Sequence, residues 1–135
     1  MTIKILIVDD DSTNRKLLLS MLEDNGECEV AENGKEAVER VRQRLEKKKK
    51  IYDVIFLDIK MPVMNGHEAL LEIRKLEEEH QIFIGSGAKI VIVSALSDQQ
   101  NIISAFREGC EYYLVKPFQQ TKLFQLMTEM GFNMV

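Results

Sequence analysis

The sequence has no apolar run approaching the roughly 20 residues that a membrane-spanning helix needs. Its first residues, MTIKIL, lack the basic region, apolar region and small-residue cleavage site of a secretory signal. The chain is therefore expected in the cytoplasm. Basic residues are not in excess: 18 Lys and Arg against 22 Asp and Glu leave a net charge of -4. Phosphate backbones are held by basic surfaces, so nucleic acid is not expected as a direct partner. There are only two cysteines, Cys28 and Cys110, and they form no CxxC pair. In a reducing compartment no disulfide is expected, and both are read as small buried or half-buried side chains. No linker and no internal repeat interrupts the chain. The pattern GxxxxGK[ST] is missing, as is GxGxxG, so no glycine loop is read as a phosphate cradle. What is present fits one soluble globular domain: 135 residues, 45% hydrophobic and 30% charged.

The apolar patterning alternates between strand and helix, five times over. IKILIV (3–8) reads as a buried strand. Residues 12–25 carry a helical stripe through Leu18, Met21 and Leu22, with Leu17 or Leu19 beside them; Asp11 or Ser12 caps it and Gly26 ends it. CEVAE (28–32) is a short strand. The next helix, NGKEAVERVRQRLEKKKK, turns Ala37, Val38, Val41 and Leu45 to one side and runs out into four lysines. YDVIFLD (52–58) is the third strand, and Ala69, Leu70, Ile73 and Leu76 line a helix over 66–79. AKIVIVSA (88–95) is the fourth strand. A helix over 98–108 follows through Ile102, Ile103 and Phe106. EYYLVKP (111–117) is the last strand. The last helix, 119–130, places Leu123, Leu126, Met127 and Met130 on one face. Alternating strands and helices predict an α/β fold: a doubly wound five-stranded parallel sheet with five helices on its two faces, in the flavodoxin-like order 2-1-3-4-5.

In such a sheet, ligands sit outside the carboxyl ends of the strands. Those ends deliver Asp9 and Asp10 from the first strand, Asp58 from the third, Ser94 from the fourth and Lys116 from the fifth. Three carboxylates close together repel, and a hard divalent cation is the obvious neutraliser. Magnesium keeps several waters and accepts a phosphoryl oxygen, and a lysine suits the same anion. Metal, hydroxyl and ammonium around one carboxylate suit phosphoryl transfer, with Asp58 as the nucleophile that forms an aspartyl-phosphate.

The ordered set VDDDSTNR, DVIFLDIKMPVMNG, VIVSA and YYLVKPF strongly resembles the receiver domain of two-component response regulators, of the single-domain chemotaxis-regulator kind. The resemblance covers essentially the whole chain. Chemotaxis receivers are themselves an example of the 2-1-3-4-5 order, so that order is no independent support. The resemblance implies that Asp58 is the phosphoacceptor, taking its phosphoryl group from a histidine kinase or a histidine phosphotransfer protein. It implies magnesium as the cofactor, with Asp10 a direct ligand, Asp9 reaching the ion largely through water, and the backbone carbonyl of Lys60 completing the protein ligands beside Asp58. Ser94 is then the hydroxyl that binds the phosphoryl group and Lys116 the cation paired with it. The Lys116–Pro117 peptide is expected to be cis. Tyr113 matches the switch aromatic that turns inward as Ser94 moves. The face of the fourth helix, fifth strand and fifth helix would carry the signal to a downstream protein effector. The chain is expected to be a phosphoacceptor signalling protein rather than an enzyme, with weak self-phosphorylation and autodephosphorylation. It is expected to be a single receiver domain over 1–135 without an output domain, away from membranes, and a monomer or a weak phosphorylation-dependent dimer.

Some positions depart from the family's commonest pattern or have a simpler reading. Ser94 stands where threonine is commonest. Lys60 and Leu96 occupy the two positions that tune phosphorylation and hydrolysis, and water attack is expected to differ from the chemotaxis type. Asp11 reads as a helix cap. His67 and His80 read as solvated surface. The lysine run reads as a solvated helix end, with a basic docking patch as the alternative. Met127, Met130, Met134 and Phe132 read as core or tail. A phosphohydrolase using an aspartyl-phosphate would want DxD after the first strand and a cap domain. A pseudo-receiver would have lost an acid or the lysine. A flavin carrier would want a loop rich in Ser, Thr and Gly where DDDST stands.

Overall fold

The computed structural model describes residues 2–83, 85–95 and 99–135, with side chains throughout except at 99, 101, 102, 106 and 108. The expectations for Leu96 and for the Ile102 and Phe106 side chains lie outside these described residues. The elements run β1 (Ile3–Val8), α1 (Ser12–Leu22), β2 (Gly26–Ala31), α2 (Gly34–Glu46), β3 (Val54–Asp58), α3 (Gly66–Glu79), β4 (Lys89–Ala95), α4 (Gln99–Glu108), β5 (Tyr112–Lys116) and α5 (Gln120–Glu129). The five strands form one sheet in the order β2-β1-β3-β4-β5, and every pairing is parallel.

The apolar runs are continuous because the central strands are covered on both faces. Side chains alternate across a strand, and the core divides accordingly. Leu6, Val8, Ile55, Leu57, Ile90 and Ile92 face Val38 and Val41 of α2 and Leu70 and Ile73 of α3. Ile5, Ile7, Val54, Phe56, Val91 and Val93 face Leu18 and Leu22 of α1 and Leu123, Leu126 and Met127 of α5. Helix α5 thus buries the stripe read from its spacing, and Met130, Phe132 and Met134 pack partly buried against the same layer. No helix among the described residues is long and apolar enough to cross a membrane. Neither cysteine is in a disulfide; Cys110 is buried and Cys28 half-buried. Burial pushes the Cys28 thiol up to about 11, with Glu23 adding to the shift, so it stays protonated and inert.

Two expectations are corrected, and a buried acid is added. Gly26 does not end α1. The helix closes earlier, with Glu23 N–H on Leu19 O, and Gly26 opens β2 opposite Ile3. A Cβ there would meet the Ile3 carbonyl oxygen, so the glycine permits strand pairing rather than a helix cap. Helix α2 does not continue into the lysine run. It stops at Glu46, Lys48 takes φ 54°, and Arg44 Nη1 holds Lys50 O at 2.8 Å, turning the chain back. The glycine-containing connection before β4 has a buried carboxylate beneath it. Glu77 is buried, accepts from Arg74 Nη1 at 2.7 Å and from Ala88 N–H at 2.9 Å, and fills the space a Cβ at Gly87 would need. Pairing and hydrogen bonding are what make a buried charge tolerable.

Candidate functional site

The sheet ends deliver what the sequence places there. Asp9 and Asp10 follow β1, Asp58 closes β3, Ser94 lies near the end of β4, and Lys116 closes β5. Asp9, Asp58 and Ser94 are buried, whereas Asp10 is exposed. The three carboxylates offer one oxygen each within 4.8 Å of one another. Lys116 Nζ sits 3.4 Å from Asp9 Oδ2 and 3.5 Å from Asp58 Oδ2. The Lys116–Pro117 peptide is cis, as expected.

The backbone holds Asp9 tightly. Its N–H donates to Ala31 O at 3.2 Å, its carbonyl accepts from Arg15 Nη1 at 2.7 Å, and its Oδ1 accepts from Asp11 N–H at 2.9 Å. Asp11 in turn caps α1 by accepting from Thr13 N–H at 2.8 Å, which is the role read from its position. Arg15 was not singled out from the sequence. Its place four residues into the helix after the acids was the available signal.

The loop after Asp58 makes a tight reversal. Met64 N–H donates to Pro62 O at 2.7 Å around Val63, which has φ 69°. This three-residue turn is a strained form, unusual for a β-branched residue. Gly66 N–H then returns to Ile59 O at 2.8 Å and opens α3, whose Asn65–Glu68 capping box is complete. Asp10, Ile59, Lys60, Met61, Pro62, Asn65 and His67 line an open cleft of about 480 Å³ beside the carboxylates. His67 corrects the sequence reading: it is half-buried in the first turn of α3, with Nε2 fully covered. His80 is exposed as expected, with Nδ1 2.9 Å from Leu76 O.

Electrostatically the site is short of positive charge. Burial, then the neighbouring Asp9 carboxylate, pushes Asp58 up to about 6, and Lys116 only partly offsets them. The Ser94 hydroxyl is buried and has no hydrogen-bond partner among the described residues. A buried orphan donor is costly, so it awaits an acceptor. Tyr113, on β5, is exposed and faces a broad cleft of about 660 Å³ shared with Val115, Phe118 and Lys122. Three clustered carboxylates fit a hard divalent cation, and the lysine and free hydroxyl fit an anion held against it.

Comparison with known proteins agrees. The family model for the response regulator receiver domain matches residues 5–128. The chemotaxis protein CheY of Thermotoga maritima is 33% identical over 131 residues, covering 95% of this chain and 97% of its own length. The osmosensing histidine protein kinase SLN1 of Saccharomyces cerevisiae is 32% identical over 130 residues, which are 10% of that protein. Among solved structures, Vibrio cholerae CheY4 superposes with a TM-score of 0.78 at 25% identity, over 96% of this chain and 99% of that one. The CheX–CheY complex with BeF3 and Mg from Borrelia burgdorferi gives 0.76 at 27% identity, over 94% and 88%. A fold, an acid-and-lysine site and a sequence match that all coincide over the same residues place this chain in the response regulator receiver family.

Proposed function

We propose that this receiver accepts a phosphoryl group on Asp58, with magnesium held by Asp10, Asp58 and the Lys60 carbonyl directly and by Asp9 largely through water. The observation that carries this reading is a cluster of three carboxylates, two of them paired with one lysine, beside a buried hydroxyl without a partner among the described residues. When bound, magnesium supplies positive charge that favours the ionised Asp58 carboxylate and offsets charge developing on a phosphoryl group. The Asp58 carboxylate attacks phosphorus, and the phosphorus–nitrogen bond of a phosphohistidine breaks with its electrons leaving on the imidazole. Lys116 steadies the phosphoryl oxygens as a point charge, and Ser94 donates its hydroxyl to one of them.

The donor is a histidine kinase or a histidine phosphotransfer protein in the cytoplasm, and self-phosphorylation and autodephosphorylation are weak. The chain works as one receiver domain, monomeric or weakly dimeric when phosphorylated. Its output is the α4–β5–α5 face, where Tyr113 turns inward as Ser94 moves to the phosphoryl group and a downstream protein docks. Lys60 is exposed beside the acceptor and tunes water attack; an unchanged dephosphorylation rate in Lys60→Ala would remove it from that role.

The test is incubation of the protein with acetyl phosphate, with and without magnesium, read by intact mass and peptide mapping. One phosphoryl group is expected, on Asp58 and only with magnesium. No added mass, or label mapping elsewhere, overturns the reading. The clamp on Asp9 makes a second expectation. Arg15 fixes the peptide joining Asp9 to Asp10, while no hydrogen bond or ion pair is found for the Asp10 carboxylate among the described residues. Arg15→Ala is expected to weaken magnesium binding roughly tenfold, the effect of a lost outer-shell contact. Glu32→Gln, which removes only an exposed 3.6 Å pairing with Arg15, should leave it nearly unchanged. Calorimetric titration of magnesium into both variants separates the two.

A further inference from the structure

The end of the sheet remote from Asp58 carries a strongly basic foot that the phosphoacceptor chemistry does not use. Residues 40–50 hold seven of the chain's 18 Lys and Arg and one acid, Glu46. The rest of the chain has 11 cations against 21 acids, so the charge is sharply polarised. Lys50 Nζ lies 3.0 Å from Thr2 O at the start of β1, whereas Asp9 follows its end. Six residues of strand therefore separate Lys50, at the far end of the foot, from the level of the phosphoacceptor, roughly 20 Å.

The foot is a built notch rather than a frayed end. A recess of about 110 Å³ is lined by Glu29, Arg40, Gln43, Arg44, Lys47, Lys49 and Tyr52. Its floor is already neutralised. Glu29 accepts from Arg44 Nη2 at 2.7 Å, Tyr52 Oη at 2.8 Å and Arg40 Nη1 at 3.1 Å, and Lys4 Nζ lies 3.1 Å away. Burial alone would raise the Glu29 carboxyl, but the Arg44, Tyr52 and Lys4 contacts outweigh it and hold it at about 2. Arg44 also lies over the Tyr52 ring, 4.8 Å from its centre. Above this floor, exposed Lys47, Lys48 and Lys49 have no ion pair among the described residues. The buried Arg40 Nε finds no acceptor there either. Lys48 keeps a lysine at φ 54°, in the left-handed region that favours glycine.

We propose that this notch is a docking site for a short acidic polypeptide segment of a partner protein. Its shape selects against broader polyanions. The same end of the molecule also exposes Glu23 and Asp24 after α1, Glu27 in β2, and Glu78 and Glu79 at the end of α3. A membrane plane or an extended nucleic acid would meet those acids as well as the lysines, whereas a narrow peptide seated on α2 would not. Occupancy leaves Asp58 accessible, so docking and phosphoryl transfer can coexist.

The test uses a fluorescein-labelled decapeptide of alternating Asp and Glu, read by anisotropy against the full chain at several salt concentrations. Binding is expected to fall with salt, because exposed charges are screened beyond about 8 Å at physiological ionic strength. The double variant Lys47→Glu/Lys49→Glu is expected to lose at least tenfold in affinity. Lys16→Glu/Lys75→Glu, with the same net charge, should bind as wild type. Lys47→Gln/Lys49→Gln gives the same answer without added repulsion, and unchanged acetyl-phosphate labelling shows that each variant is folded. Equal affinity for the two Glu double variants overturns the site. Tighter capture of a uridylate decamer or of phosphatidylserine vesicles than of the peptide overturns the polypeptide partner.

Discussion

Asp58→Asn is expected to take up no phosphoryl group from acetyl phosphate and yet, in magnesium-free buffer at neutral pH, to melt above the wild type. The loss follows from removing the attacking oxygen. The gain follows from the site's charge. Asp58 is raised from its ordinary 3.8 to about 6 by burial and by Asp9. The folded state therefore holds that proton more tightly than the unfolded state, and stability falls as pH rises from about 4 through 6. Above that window the ionised carboxylate costs about 1 to 2 kcal/mol after solvent screening, and asparagine removes the cost. The melting temperature should rise by roughly 3 to 8 °C at pH 7, with the gap closing near pH 4. Magnesium should stabilise the wild type more than the variant and narrow the gap from the other side. Labelling of Asp58→Asn would refute the acceptor, and a lower melting point without magnesium would refute the electrostatic account. Calorimetry across pH 4 to 8 measures both.

Gly66→Ala is expected to cause the largest loss of stability from one added methyl group. A Cβ at Gly66 would collide with the Asp58 carbonyl oxygen and lie 2.9 Å from Ile59 Cα. These are backbone atoms at the end of a central strand, so the neighbour cannot step aside. Overpacking of this kind costs about 3 kcal/mol, and the strain falls on Asp58, the proposed phosphoacceptor. Chemical denaturation should show the stability loss, and acetyl phosphate labelling should slow in the fraction that remains folded. Gly85→Ala is the contrast. Gly85 has φ 88° with nothing within 4 Å of an added Cβ, so only the backbone preference of about 1 kcal/mol is at stake. Equal stability losses in the two variants would refute the steric argument.

The strands and the acids at their ends were legible because burial leaves a plain trace. IKILIV, VIFLD and KIVIVSA are apolar without alternation since both faces are covered, and polarity resumes where the sheet stops. The site was legible for the same reason: its members stand where the apolar runs end. What escaped depended on distant partners. Glu77 sits in a run of three glutamates that reads as solvent-facing, and only Arg74 and the Ala88 amide make its burial tolerable. Gly26 carries the usual mark of a helix end, but its reason is the approach of Ile3 from another strand. The lysine run continues a helical pattern, yet Arg44 ties the chain back before a further turn forms. His67 reads as a polar residue on a helix start, and the covering of its Nε2 leaves no trace in the local pattern.

The division of the core has a consequence for how such a protein can change over generations. The two apolar layers meet across the sheet, one under α2 and α3 and the other under α1 and α5. Changes at sites farther apart than roughly 7 to 10 Å combine nearly independently. A lineage can therefore remodel the α2 layer, its length and the charge of its foot included, with little epistatic debt to the α1 and α5 layer. The sheet acts as a firewall between two evolutionary modules, and only the few residues that touch the clustered acids directly, Arg15 of α1 and Gly66 of α3 among them, couple either side to the site.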